Sequence, residues 1–288
     1  MQAEVELLKV LDAPSNTNLP FFAYGTFKKG EISFFAIKQF VKEVKKDKQI
    51  TAKMHVKDGV SLIDITETNS TTYGDIIYFK DAESALNAYN AIGLLEPSTY
   101  YYWGEQVVDG EAVNVLIGKG INKGTNEVED NYWNSWTEPL FTEIFEIINE
   151  VLKEPTNDIS GKQFLKLQMT YLLLWTAIER YATLRYKFGG SDVVAKVNNI
   201  ANENAFLIGI KQIDSAKKVY KTYESGHVNF NVDNPKMCVR YFYQIRSNIA
   251  HRGKAVFDDA KLVHFALAEM SFIFKRMLEE AKIDADKF

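Results

Sequence analysis

The sequence predicts an α+β protein in two parts, a small mixed β-barrel followed by an all-α helical bundle. Three observations predict it. Short β-rich pieces separated by Gly, Asp and Asn fill the first part without regular strand–helix alternation, which argues against a doubly wound sheet. Beyond residue 137, apolar residues recur at helical spacing. Charge divides at the same place: residues 1–130 carry 13 Lys+Arg against 19 Asp+Glu, the remainder 21 against 19. At 288 residues the chain is long enough for two cores of ordinary size.

In chain order, Leu19–Tyr24 reads as a strand that stops at Gly25. Ile32–Val44 has helical spacing (Phe34, Ile37, Phe40, Val41) and runs into the basic stretch Lys45–Lys48. Strands are expected at Gly59–Ile65, Asp75–Phe79, Tyr100–Val108 and Ala112–Ile117, with a short helix over Ser84–Ile92. Gly118–Asp130, rich in Gly, Asn and Lys and then acidic, marks the boundary region. The expected division is a barrel domain over 1–128, a linker over 129–136 and a helical domain over 137–288. In the helical domain Glu138–Lys153 is amphipathic and ends near Pro155. Ser160 followed by Gln163 is a capping-box signature that opens a long helix to Phe188, stopped by Gly189 and Gly190. Further helices are expected at Asp192–Asn204, Ile213–Glu224, Pro235–Ala250 and Asp258–Lys282. Pro235 suits the first helical turn, where a missing N–H costs nothing.

Composition narrows the class. With 46% apolar and 25% charged residues, neither disorder nor a fibrous architecture is expected. The longest apolar runs, such as Tyr171–Trp175, fall far short of the roughly 20 residues of a membrane span. The acidic start Met1-Gln-Ala-Glu-Val-Glu is unlike a secretory signal, and the single cysteine, Cys238, allows no intrachain disulfide and no cysteine zinc cage. A cytoplasmic protein without membrane partner, metal or cofactor is expected. His55 and His227 fall in expected loops and His264 in a helix, none at metal-ligand spacing with another. The aromatic clusters Tyr100–Trp103 and Tyr132–Trp136 are read as core, although aromatic rings can also stack on bases.

Two stretches carry chemistry. Phe21-Phe-Ala-Tyr-Gly-Thr-Phe-Lys-Lys-Gly30 is a strand ending in a tight Tyr24-Gly25-Thr26 bend, whose amides can face a carboxylate or carbonyl oxygen. An ordinary strand-to-loop turn is the plainer reading. In Tyr241–Gly253, Arg246 lies near the end of an apolar helix and His251 follows five residues later. A guanidinium there can hold a phosphate and an imidazole can exchange a proton near neutral pH. Cations also favour helix C-termini through the helix dipole alone.

The first stretch resembles the Tyr-Gly-Ser/Thr-Leu loop of γ-glutamylcyclotransferases and their AIG2-like relatives. Thr72-Tyr-Gly-Asp-Ile-Ile-Tyr78 resembles a further strand of that family, and Ile92-Gly-Leu-Leu-Glu-Pro-Ser-Thr-Tyr100 its glutamate-bearing stretch. The resemblance implies that Glu96 is the catalytic carboxylate and that Tyr24, Gly25, Thr26, Phe27 and Tyr100 bind a small γ-glutamyl-like ligand. One buried carboxyl with a raised pKa would deprotonate the α-amine and protonate the leaving amine as 5-oxoproline closes. This sequence departs from the family pattern at Phe27, Gly93 and Pro97.

The second stretch resembles the Arg-x4–6-His motif of HEPN domains, and Ile-Arg-Ser-x-Ile-Ala-His in particular the ApeA-like branch. Leu174–Tyr181 resembles the first core helix of that fold, and the likeness covers roughly residues 137 to 285. It implies a homodimer through the helical domain, a composite cleft and metal-independent cleavage of RNA, as in toxin–antitoxin and antiviral proteins; other members only bind or dimerise. Ser247 stands where many active members carry a polar group such as asparagine, and Asn248 follows it as a candidate substrate contact. Three functions therefore stand: an RNA-cleaving or RNA-binding effector acting through Arg246 and His251 with a ligand-sensing first domain; a γ-glutamyl (amine) cyclotransferase acting through Glu96; and a non-enzymatic interaction protein.

Overall fold

The computed structural model describes residues 10–57, 60–121, 126–127, 133–154, 159–186, 192–213, 217–221, 225–252 and 258–287. The chain groups into two units that divide between Glu138 and Pro139, with Lys282–Phe288 counted with the first. The expected linker 129–136 lies outside the described residues up to 132, as do Tyr132, Pro155, Gly189 and Gly190.

In the first unit the all-apolar strand β1 (Phe21–Ala23) is buried on both faces. It continues into two 3-10 turns, Ile32–Ala36 and Lys38–Phe40, and then the 11-residue strand β2 (Val41–Thr51). Strands β3 (Lys53–Lys57), β4 (Val60–Asp64) and β5 (Thr71–Phe79) follow. Helix α1 (Ala82–Leu95) is N-capped by Asp81, whose carboxylate accepts from the Ser84 N–H at 2.7 Å. Strands β6 (Tyr101–Val108), β7 (Glu111–Gly118) and the short β8 (Asn126–Glu127) complete the unit.

The helical spacing of Ile32–Val44 predicts one helix, and the structure corrects it. Ile32, Phe34 and Ala36 reach the core from a 3-10 turn, and from Val41 onward the ladder to β5 takes over the backbone. That pairing overrides the local periodicity, so Lys45–Lys48 lie in a strand. A register break there is accompanied by Asp47 at φ 56°. The expected barrel is also corrected. The strands form a five-stranded sheet in the order β2-β5-β1-β7-β6 and a three-stranded sheet β4-β3-β8. Among the described residues no ladder joins the edges β2 and β6, so the larger sheet is not closed. β1 is antiparallel to β5 and parallel to β7. Its close approach to β5 needs Gly74, where a Cβ would meet the Ala23 carbonyl at 2.5 Å and the Phe22 ring at 2.7 Å.

The second unit contains α2 (Pro139–Leu152), α3 (Gly161–Tyr186), α4 (Val193–Ile200) and α5 (Asn204–Ile210). Strands β9 (Lys218–Tyr220) and β10 (His227–Asn229) then precede α6 (Pro235–Arg252) and α7 (Asp258–Asp286). The capping box of α3 forms: the Ser160 N–H donates to Gln163 at 2.9 Å and the Gln163 N–H to Ser160 Oγ at 3.3 Å. The expected all-α bundle is corrected by β9 and β10, which pair antiparallel where a helix over Ile213–Glu224 was expected. Val219 and Val228 alone point inward there, with a period of two rather than 3.6. Trp175, Tyr171, Tyr181, Tyr241, Phe242 and Phe274 form the fully buried heart of this unit. Buried Tyr171 donates to the Phe242 carbonyl at 2.7 Å, tying α3 to α6. Among the described residues no helix is long and apolar enough to cross a membrane.

The glycine at position 93 has a steric cause. The Leu11 N–H donates to the Gly93 carbonyl at 3.1 Å, and a Cβ on Gly93 would sit 1.9 Å from the Leu11 carbonyl oxygen. Gly93→Ala is therefore expected to lower the stability of the first unit by at least about 2 kcal/mol, because the clash is with backbone rather than a flexible side chain. Chemical denaturation followed by near-UV circular dichroism measures this.

Candidate functional site

In the first unit, β1 delivers Tyr24–Phe27 to the end of the sheet, and the end of α1 delivers Glu96 to the same place. Tyr24, Gly25, Thr26, Phe27 and Glu96 line one cavity of about 20 Å³, with Ser61 of β4 and Tyr101 of β6. Glu96 caps α1: its N–H donates to the Ile92 carbonyl at 2.9 Å, and Pro97 prevents the helix from continuing. The Tyr24 hydroxyl donates to the Leu116 carbonyl at 2.8 Å. Burial, and after it the negative charge of Glu96, hold that phenol well above its usual pKa. Gly25 passes so close to β4 that a Cβ would lie 2.7 Å from Ser61 Oγ. Tyr101, the first residue of β6, lines the cavity, and its hydroxyl donates to the Ser61 carbonyl at 2.7 Å; Tyr100 lies in the turn before the strand. The inner space of this cavity takes about one water molecule, and its mouth is partly open.

The loop that follows is held by buried polar groups that the sequence did not single out. Lys28 donates to the Trp133 carbonyl at 2.7 Å, and Trp136 Nε1 donates to the Gly30 carbonyl at 2.7 Å. The Ser135 N–H donates to the Glu31 carboxylate at 2.7 Å, while Ser135 Oγ accepts from the Ile32 N–H at 3.2 Å. The Asp75 carboxylate accepts from the Lys29 N–H at 2.9 Å and the Asp47 N–H at 3.3 Å. Burial lowers the Lys28 pKa and raises those of Glu31 and Asp75. The tyrosine-rich stretch Tyr100–Trp103 is partly core: Trp103 packs edge-on against Phe21 and Tyr89 and donates to the Asp12 carbonyl at 2.7 Å.

In the second unit the last turns of α6 carry Arg246, Asn248 and His251. The Arg246 guanidinium lies 3.8 Å from Glu179 of α3 and 5.4 Å from the centre of the Tyr243 ring. That ring is itself set edge-on against buried Trp175 at 5.2 Å. The Arg246 and Glu179 side chains are 30% and 32% exposed, so water screens the pair and the guanidinium remains open to an anion. Asn248 accepts from Gln244 Nε2 at 2.9 Å and donates to the Tyr220 carbonyl of β9 at 2.8 Å. His251 is exposed. Five residues of α-helix turn the chain by about 140° beyond a full circle, so Arg246 and His251 of one copy diverge around the axis. Tyr243 is an i,i+3 neighbour of Arg246 on one helix, a contact that sequence spacing allows, whereas Glu179 beside Arg246 and Tyr220 beside Asn248 are tertiary contacts that spacing does not reveal.

His55 and His227 lie in β3 and β10 rather than in loops, and His264 Nε2 is 3.4 Å from the Leu152 carbonyl oxygen. Among the described residues no group of three or more His, Cys, Asp or Glu is placed to hold a metal ion. The Cys238 thiol is buried, donates to the Asn231 carbonyl at 2.9 Å, and is pushed up to a pKa of about 11. Comparison of the chain with protein-family models, curated proteins and solved structures finds no match.

The buried carboxylate of Glu31 makes the anchoring of this loop dependent on pH. Its folded pKa lies above the unfolded one, so the stability it contributes is present below the unfolded pKa and is lost as pH rises through the folded value. Glu31→Gln keeps an acceptor for Ser135 and removes that proton linkage. The stability difference between variant and wild type, measured by denaturation from pH 4 to pH 7, is expected to shift in the variant's favour as pH rises.

Proposed function

We propose that the protein is a metal-independent, RNA-cleaving effector of the HEPN type, acting as a homodimer through Arg246 and His251. The first unit would serve as its ligand-sensing part. The observation that carries the reading is the contrast between the two candidate centres. Arg246 and His251 are open to solvent around Asn248, whereas Glu96 lines a cavity of about 20 Å³. In the reaction the ribose 2′-oxygen attacks the adjacent phosphorus and the 5′-oxygen leaves, giving a 2′,3′-cyclic phosphate and a 5′-hydroxyl. His251 takes the proton from the 2′-hydroxyl or delivers one to the 5′-oxygen, with water serving at the other oxygen, and Arg246 neutralises the phosphorane charge.

The divergence of Arg246 and His251 around α6 supports a site built from two copies, and α3 offers the surface for it. Leu165, Met169, Leu172 and Thr176 repeat at alternating four- and three-residue steps along an open, largely apolar groove of about 950 Å³. Leu165 and Met169 are 56% and 62% exposed. That spacing is a coiled-coil seam. If two copies of α3 run antiparallel about a point between Met169 and Leu172, Lys162 of each faces Glu179 of the other. Glu179 is the carboxylate that holds Arg246, so dimerisation would draw it away and free the guanidinium for phosphate.

Purified wild type is expected to cut single-stranded RNA in the presence of EDTA, leaving cyclic phosphate ends. His251→Ala should lower the rate by roughly 10² to 10⁴-fold and Arg246→Ala by at least about 10²-fold, with the fold retained. Intact RNA with wild type and variants alike overturns the reading. Met169→Glu is expected to shift the protein to monomer in sedimentation and to lower cleavage with it. The convergence of Glu96 with Tyr24–Phe27 in one cavity favours the cyclotransferase as second reading. Release of 5-oxoproline from γ-glutamyl amines that is lost in Glu96→Gln would establish it.

A further inference from the structure

The β9–β10 hairpin is the part of the helical unit that neither motif accounts for. Its two valines, Val219 and Val228, are buried, and the opposite face presents Lys218, Tyr220, His227 and Asn229 to solvent. Cross-strand pairing sets His227 beside Tyr220 and Asn229 beside Lys218. The Tyr220 ring is 57% exposed, with the His227 ring 6.3 Å away edge-on and the Lys218 ammonium 5.8 Å from its centre. An exposed tyrosine flanked by a lysine and an imidazole does not come from core packing, because the buried valines already fasten the hairpin. Asn248 fixes where this face sits: its side-chain amide donates to the Tyr220 carbonyl at 2.8 Å, two residues after Arg246 and three before His251. The aromatic platform therefore adjoins the turn that carries the proposed chemistry.

We propose that this face is a single-stranded RNA subsite, with Tyr220 stacking on an unpaired base and Lys218 meeting the neighbouring backbone phosphate. Stacking on an aromatic ring tolerates any base, and a single lysine reads charge rather than sequence. The subsite would hold a nucleotide next to the scissile one and accept single strands in preference to duplex, whose bases are already stacked. A Tyr220 peptide carbonyl tied to Asn248 keeps the platform in register with α6. The inference rests on the RNA reading above, and it adds the residues that bind the strand.

The test uses the full chain carrying His251→Ala, so that RNA stays intact, and a fluorescein-labelled 12-nucleotide single-stranded RNA followed by anisotropy. Adding Tyr220→Ala is expected to weaken binding about tenfold, and Tyr220→Phe to leave it nearly unchanged, since the ring and not the hydroxyl stacks. Lys218→Ala should weaken binding and reduce the dependence of affinity on salt by about one phosphate contact. If the parent protein binds and wild type cleaves RNA while Tyr220→Ala binds as tightly as the parent, the subsite is overturned and the RNA reading stands. If neither protein binds or cleaves RNA, both are overturned. Circular dichroism of Tyr220→Ala, a change at an exposed position, separates lost binding from lost fold.

Discussion

Strand β1 has three residues, and each is buried on both sides between β5 and β7. That burial is what the first unit is arranged around. Phe21 and Phe22 together remove two large rings from water, each contributing about 2–3 kcal/mol. The strand can lie so deep only because Gly74 leaves room for its backbone and for the Phe22 ring. Its end is then determined: Tyr24 enters the core, its hydroxyl is taken by Leu116, and the chain must turn at Gly25 against Ser61. Glu96 meets that turn because α1, stopped by Pro97, ends there. The cavity is thus the meeting point of a strand end and a helix end, both placed by packing. The hydrogen bonds of Lys28, Glu31 and Ser135 then join the turn to Trp133–Trp136, the last residues before α2.

In the second unit α6 plays the corresponding role. Phe242 and Tyr241 face the core, and Tyr171 of α3 donates to the Phe242 carbonyl. The same helix carries Arg246, Asn248 and His251 outward. Arg246 is steadied by Glu179 and Tyr243, and Asn248 by Gln244 and the β9 carbonyl, so the helix end is held by side-chain contacts on either side. Arg246 and Asn248 are thereby held in place, and His251 on the same helix end is exposed.

The two centres differ in the work a substrate must do. On α6, His251 is exposed and Arg246 is part-exposed. A γ-glutamyl compound has to enter a small, partly open cavity lined by Tyr24 and Phe27, both buried. This difference, and not the completeness of either motif, ranks the two functions.

By itself the sequence determined the division of the chain into a strand-rich and a helix-rich part, the capping box at Ser160 and Gln163, and the stretches that bear Glu96, Arg246 and His251. Those features are written in local periodicity, caps and short motifs, which depend on near neighbours. Only the tertiary structure decided that Val41–Thr51 is a strand, since its ladder to β5 outweighs a helical spacing. It also decided that the sheet stays open and that Lys218–Tyr220 pairs with His227–Asn229. Tyr101, the first residue of β6, faces the cavity, whereas Tyr100 lies in the turn before it. Glu179 beside Arg246, and Tyr220 beside Asn248, are contacts between residues 67 and 28 positions apart. Such contacts arise only when separate elements bury their apolar faces together, and that burial is the step local sequence does not specify.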